Sequence, residues 1–178
     1  MHGIVLLQLS KFAKSHLTPG AWTEVRREAG APEVFNASAI YADAALEALL
    51  EGVSRRTNLS REALLEAFGE FIVPSLLDIY VALVPERWGL FDLLEHTESL
   101  IHRVVRLRDA TATPPQLHIE RTGPVELAIR YDSSRNMCWF GKGIITGLAT
   151  HYDQPVHITD ALCMVNGDPY CDMRISEL

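Results

Sequence analysis

Apolar residues recur at helical spacing through the first two thirds of the chain and at alternate positions in the last third. Val5, Leu6, Leu9, Phe12 and Ala13 form the first helical stripe, which Thr18-Pro19-Gly20 breaks. A short helix around Trp22 to Ala29 follows, ended by Gly30. Ala45, Leu46, Leu49 and Leu50 place a third helix over Ala42 to Val53. Ser60 is an N-cap, with Glu62 near the positive helix end, and the next helix runs through Leu64, Leu65, Phe68, Phe71 and Ile72 to a stop at Pro74. A further segment spans Leu76 to Leu83 and ends near Pro85.

From Trp88 to Leu107 the pattern predicts one long helix. Leu94, Ile101 and Val105 line one side, and Leu93, Leu100 and Val104 flank them. His102 sits at the edge of that stripe and can face inward. Pro114-Pro115 then forces an extended connector. The period changes to two after this point. Leu117-His118-Ile119 is a short strand, Thr122-Gly123-Pro124 a turn, and Val125 to Tyr131 an alternating strand. Asn136 to Tyr152 predicts a helix whose Gly141, Gly143 and Gly147 imply close backbone approach. Val156 to Val165 and Tyr170 to Ile175 are two strands joined at Asn166-Gly167-Asp168. The fold class is therefore α+β: an N-terminal helical lobe (about 1–60) followed by an α/β lobe with a small antiparallel sheet (about 61–178).

Composition narrows the function classes. A chain of 178 residues with 48% apolar residues can bury a substantial core as one domain. A net charge of -7 without a basic block argues against nucleic acid as a partner. No apolar run reaches the roughly 18–20 residues of a membrane span. Met1-His2-Gly3-Ile4 lacks the basic start and cleavage site of a signal peptide, so a cytoplasmic location is expected. Neither a phosphate-binding Gly-rich loop, a nucleophile elbow nor a convincing carboxylate pair stands out, so an enzyme is the least expected class.

The alternation of the strand carries the chemistry. One face runs Val125, Leu127, Ile129 and then Tyr131, Ser133, Arg135, so an apolar surface leads into two hydroxyls and a guanidinium. That sequence of surfaces suits a planar ligand with an apolar body and an anionic edge, because hydroxyls and an Arg fork recognise carboxylates. A neutral imidazole suits iron. The two together point to heme, with His102 on the iron and the Tyr-Ser-Arg cluster on the propionates. His96 lies six residues earlier on the same helix. Six residues are about 600° of rotation, which leaves the two rings roughly 120° apart. The spacing to Pro114-Pro115 favours His102, and His96 is expected to be exposed or hydrogen-bonded.

Several runs in this order resemble the heme-nitric oxide/oxygen-binding (H-NOX) domain family, related to the heme domain of soluble guanylate cyclase. They are Met1-His2-Gly3-Ile4-Val5, Trp22, Ala29-Gly30, Glu66-Ala67-Phe68-Gly69-Glu70, the helix of His102, Pro114-Pro115, Tyr131-x-Ser133-x-Arg135 and the Gly-rich helix. The resemblance covers nearly the whole of 1–178 as a single domain. It implies that heme b sits between the two lobes, with His102 as the proximal ligand of its iron. It implies that Tyr131, Ser133 and Arg135 hold the propionates, and that Pro115 presses on the macrocycle. The distal positions Val5, Leu9, Ile72 and Phe140 are all apolar, and Phe140 stands where oxygen-binding relatives place a hydrogen-bonding tyrosine. Bound oxygen gains from a donor and NO needs one far less, so ferrous heme here is expected to favour NO, and CO more weakly. One departure is Ser99, three residues before His102, where the family often has an acidic residue.

The resemblance further implies a gas sensor that signals to a partner such as a histidine kinase, a cyclic-di-GMP enzyme or a cyclase. Some relatives also carry zinc on a cysteine trio and a histidine. Here Cys138, Cys163 and Cys171 form the trio, and Asp160 occupies the histidine position, with His157 nearby. Zinc held by the trio with Asp160 or His157 is one expectation, and three plain buried thiols are the other. Two alternatives to heme sensing remain at this point: a heme-independent zinc or thiol redox switch, and a different tetrapyrrole such as a corrinoid.

Overall fold

The computed structural model describes residues 1–178, and two compact units make up the chain: Met1–Phe68 and Gly69–Leu178. The first contains helices α1 (Gly3–His16), α2 (Ala21–Glu28), α3 (Asp43–Thr57) and the opening turns of α4 (Arg61–Tyr80). Its core follows the apolar stripes read from the sequence. Leu6, Leu9, Phe12, Trp22, Val25, Leu46, Leu49, Leu50, Val53, Leu64 and Phe68 are all buried. Phe12 and Phe68 pack with ring centroids 5.6 Å apart. Asn58 ends α3 in the left-handed conformation, at φ 58°.

The second unit contains the rest of α4, then α5 (Leu90–His96), α6 (Arg103–Arg108), α7 (Cys138–His151) and four strands. The strands are β1 (Gln116–Gly123), β2 (Glu126–Asp132), β3 (Val156–Leu162) and β4 (Cys171–Glu177). They form one antiparallel sheet in the order β1-β2-β4-β3. Its buried face is Leu127, Ile129 and Tyr131 from β2 with Cys171, Met173 and Ile175 from β4, packed with Leu90, Phe91, Leu94, Ile145 and Leu148. The α+β class expected from the sequence is the class observed.

Four local expectations are corrected. Pro74 does not stop its helix: α4 runs from Arg61 to Tyr80 with Pro74 inside it. Close packing on α7 overrides the local preference. A Cβ built on Gly69 would come 2.3 Å from the Phe140 carbonyl oxygen, and one on Gly147 would come 2.7 Å from Val73 Cγ2. These glycines are where the two helix backbones meet.

The single helix expected over Trp88 to Leu107 is instead α5, a π-helical stretch at Thr97–His102, and α6. Its start moves to Leu90, where the Asp92 carboxylate accepts the Gly89 N–H and Gln154 accepts the Leu90 N–H. Strand β2 ends at Asp132, so Ser133 and Arg135 lie just past it, and Val125 lies before it and is exposed. The first hairpin strand, β3, stops at Leu162 instead of Val165, while β4 starts at Cys171 and runs on to Glu177. The Asp168 carboxylate accepts the Cys163 N–H and Cys171 Sγ accepts the Met164 N–H, which curls residues 163–168 into a turn closed by Gly167 at φ 96°.

Candidate functional site

His102 closes the π-helical stretch between α5 and α6. Such widened turns re-aim a side chain relative to a regular helix and recur at functional sites. Its side chain is 16% exposed. Nδ1 lies 2.8 Å from Glu98 Oε2, which also accepts the Leu117 N–H at 3.2 Å, while Glu98 Oε1 accepts from Arg106. Because an ionised carboxylate only accepts, the ring proton is on Nδ1 and Nε2 remains to bind a metal. Burial pushes the His102 pKa down, against the opposing pull of Glu98, which keeps the imidazole neutral. Burial alone would raise the Glu98 carboxyl, yet the hydrogen bonds from His102 and Arg106 outweigh it and hold the carboxyl below its usual range. His96, by contrast, is exposed, bonded to the Asp92 carbonyl and stacked near Trp88.

Tyr131, Ser133 and Arg135 come together at the end of β2. Tyr131 faces Leu117 across β1 and Cys171 across β4. Burial pushes its phenol up to about 12, so it stays a donor at any physiological pH. Ser133 Oγ accepts the Arg135 N–H at 3.3 Å. Arg135 Nη1 donates to the Thr113 carbonyl at 2.6 Å and Nη2 to Thr113 Oγ1 at 2.7 Å. Residues 113–117 therefore join the two halves of the site. Thr113 meets Arg135, and Leu117 meets Glu98, which holds the His102 ring. The donor set fits heme: a neutral, oriented imidazole for iron, with two hydroxyls and a guanidinium for carboxylates.

The other expected contacts are placed as follows. Ile72 is buried on α4, and Phe140 is half-buried on α7, whose backbone is pinned at Gly69. In the helical unit, Val5 is half-buried and Leu9 fully buried, both on α1. Trp139 carries Lys142 Nζ 3.8 Å above its ring.

The three cysteine sulfurs lie within 4.8 Å of one another, all buried. Cys163 Sγ is 3.8 Å from Cys138 Sγ and 4.0 Å from Cys171 Sγ. Asp160 and His157 do not join them. Asp160 pairs with the buried Lys142 ammonium. His157 stands opposite Ser176 and is exposed, near the far end of β3 from Cys163. Burial pushes the thiols of Cys138 and Cys171 up, so both are protonated at neutral pH.

Sequence reasoning missed Glu98 and Thr113. The signal for Glu98 was present, a carboxylate four residues before a candidate ligand, where helical side chains meet. Ser99, one residue closer to His102, donates instead to the His96 carbonyl. Nothing in the sequence distinguished Thr113 beyond its place next to Pro114.

Residues 2–160 match the model of a family described as Haem-NO-binding. The chain belongs to this family. Solved H-NOX structures superpose over its whole length. An H-NOX protein from S. oneidensis in the Fe(II)NO ligation state has a TM-score of 0.92 at 24% identity, covering 100% of this chain and 99% of that one. The Fe(II) unliganded H-NOX protein from K. algicida gives 0.88 at 21%, covering 100% and 97%. A T. tengcongensis H-NOX mutant gives 0.88 at 17%, covering 99% and 97%. No curated protein matches the chain by sequence. The H-NOX fold implies heme-based gas sensing. No helix of this H-NOX chain is long and apolar enough to cross a membrane.

Proposed function

We propose that this H-NOX chain senses NO, and CO more weakly, through ferrous heme b ligated by His102, and that it signals to a partner protein. When bound, the heme would supply an iron site for a diatomic gas. The observation that carries the reading is the hydrogen-bonded circuit of residues 113–117, which ties His102 and Arg135 into one frame. Within it, His102 offers Nε2 while Glu98 holds Nδ1. Tyr131, Ser133 and Arg135 present donors to the propionates, and Arg135 gives up its bonds to Thr113 or shares them. Pro115 lies against the macrocycle. Val5, Leu9, Ile72 and Phe140 form an apolar distal set, which withholds the donor that oxygen needs.

The partner is a histidine kinase, a cyclic-di-GMP enzyme or a cyclase, and the chain itself is not an enzyme. The test is the ultraviolet–visible spectrum of the reduced protein, with and without NO, for wild type and His102→Ala. A Soret band that shifts with NO, and a ferrous spectrum altered by the substitution, are expected. Lack of a Soret band after heme reconstitution would overturn the reading.

The thiol trio favours a second reading. Tetrahedral zinc with bonds of about 2.3 Å needs sulfurs roughly 3.8 Å apart, and two of the trio's separations, 3.8 and 4.0 Å, are close to that. We infer a zinc or thiol redox switch there, in which Asp160 and His157 take no part. Zinc content of protein purified without chelator tests it.

A further inference from the structure

We propose that Glu98 is a positioning residue that sets how strongly His102 donates to iron. This rests on the reading of His102 as the heme ligand. Glu98 is clamped by three donors from three different elements: the His102 ring on the π-helical stretch, Arg106 on α6 and the Leu117 N–H on β1. A carboxylate fixed on three sides cannot swing away from the ring, so the Nδ1–H···O bond is built in. A hydrogen bond from a ligating imidazole to a carboxylate draws the ring proton outward, gives the ring imidazolate character and makes the other nitrogen a stronger donor.

Arg106 works in the opposite sense. Its guanidinium shares the same carboxylate and withdraws negative charge from it, so the pair Glu98–Arg106 acts as a graded control on His102. A strongly donating His102 would hold iron more tightly and resist release when NO binds. The acidic residue thereby biases the sensor toward a threshold rather than an immediate response.

Two substitutions separate this role from simple packing. Glu98→Gln keeps the size and one oxygen to accept from the ring, removes the charge and turns an amide donor toward Arg106. Arg106→Gln keeps a donor to the carboxylate and removes the opposing charge. In the heme-loaded ferrous protein, the iron–histidine stretching frequency by resonance Raman is expected to fall in Glu98→Gln and to rise in Arg106→Gln. Heme retention in Glu98→Gln falls about 10- to 100-fold. With NO, the Soret position reports a larger share of Glu98→Gln molecules in which His102 has let go.

The heme-free protein gives an independent reading. Nitrogen-15 shifts of the His102 ring are expected to show the proton on Nδ1 in wild type and a mixture of tautomers in Glu98→Ala. Frequencies that stay unchanged, or that move the same way in both Gln variants, overturn the proposal. An Nε2-protonated ring in the heme-free wild type also overturns it. A wild type that takes up no heme overturns the underlying ligand reading, while the tautomer measurement still reports whether Glu98 organises the ring.

Discussion

Two clusters of ligand-type side chains sit in the same compact unit, and they are prepared in opposite ways. Around His102 every neighbour is committed: Glu98 takes Nδ1, residues 113–117 bind both Glu98 and Arg135, and the imidazole is kept neutral by burial. Around Cys163 the geometry is equally tight, with sulfurs 3.8 and 4.0 Å apart, yet burial favours the protonated thiols. One cluster is ready for a metal in both geometry and protonation state. The other has the geometry alone and must lose protons first. The comparison teaches that close spacing of ligand atoms defines a site only when the electrostatics agree.

The largest effect expected from that difference is on zinc. Zinc binds thiolates, so loading the trio releases the protons of Cys138 and Cys171. Below the raised pKa values of these thiols, each released proton contributes about tenfold per pH unit, or about a hundredfold together. Affinity therefore rises steeply with pH. Competition against a chromophoric chelator at two pH values measures the slope. A flat profile would mean that the trio is already ionised, and the contrast with His102 would fail.

Next in size is Arg135→Ala. The substitution removes two charge-assisted bonds to Thr113 and, on the proposed reading, the guanidinium that faces a propionate. Hydrogen bonds to charged groups contribute about 1.5–3 kcal/mol each, so heme retention should fall about 10- to 100-fold. Transfer of heme to an acceptor protein, followed by absorbance, gives the number. The Cys trio should keep its pH response to zinc in this variant, because the two bonds lost run to Thr113.

Much of this was legible from the chain alone, for identifiable reasons. The stripes of α1 and α3 and the alternation of β2 follow directly from burial on one face. Tyr131 takes its inward place from the alternation of β2, but Ser133 and Arg135 follow in a turn past Asp132, where Arg135 reaches Thr113. The continuity of α4 through Pro74 was not legible, since it depends on backbone contact with α7 at Gly69 and Gly147. The π-helical stretch escaped for a related reason: apolar periodicity does not distinguish it from a regular helix over six residues. Asp160 was drawn toward the cysteines by its position in the sequence, and only the placement of Lys142 shows where its charge goes.

Gly69→Ala sharpens the α4–α7 argument. The added methyl meets backbone atoms of α7 at 2.3 to 2.9 Å, which a flexible side chain cannot relieve. Overpacking of this kind costs typically about 1–3 kcal/mol, and denaturant unfolding should show it as a lower midpoint with little change in slope. Gly141→Ala is the control, because its nearest outside neighbour is 4.0 Å away.

The smallest expected effect is Phe140→Tyr, and it bears most directly on gas choice. The backbone at this position is pinned, with the Phe140 carbonyl oxygen facing Gly69 on α4. The change therefore adds a hydroxyl without moving the helix. On the proposed reading, that hydroxyl enters a distal set that otherwise offers no donor. One neutral hydrogen bond is worth about 0.5–1.5 kcal/mol, so oxygen affinity should rise about two- to tenfold while NO affinity changes less. Equilibrium titration of the reduced protein with each gas separates the two. Equal gains for both gases would mean that the hydroxyl acts on the pocket rather than on the ligand's charge. No gain for oxygen would remove Phe140 from the distal set and leave gas selection to the His102 side, where Glu98 and Arg106 control the iron.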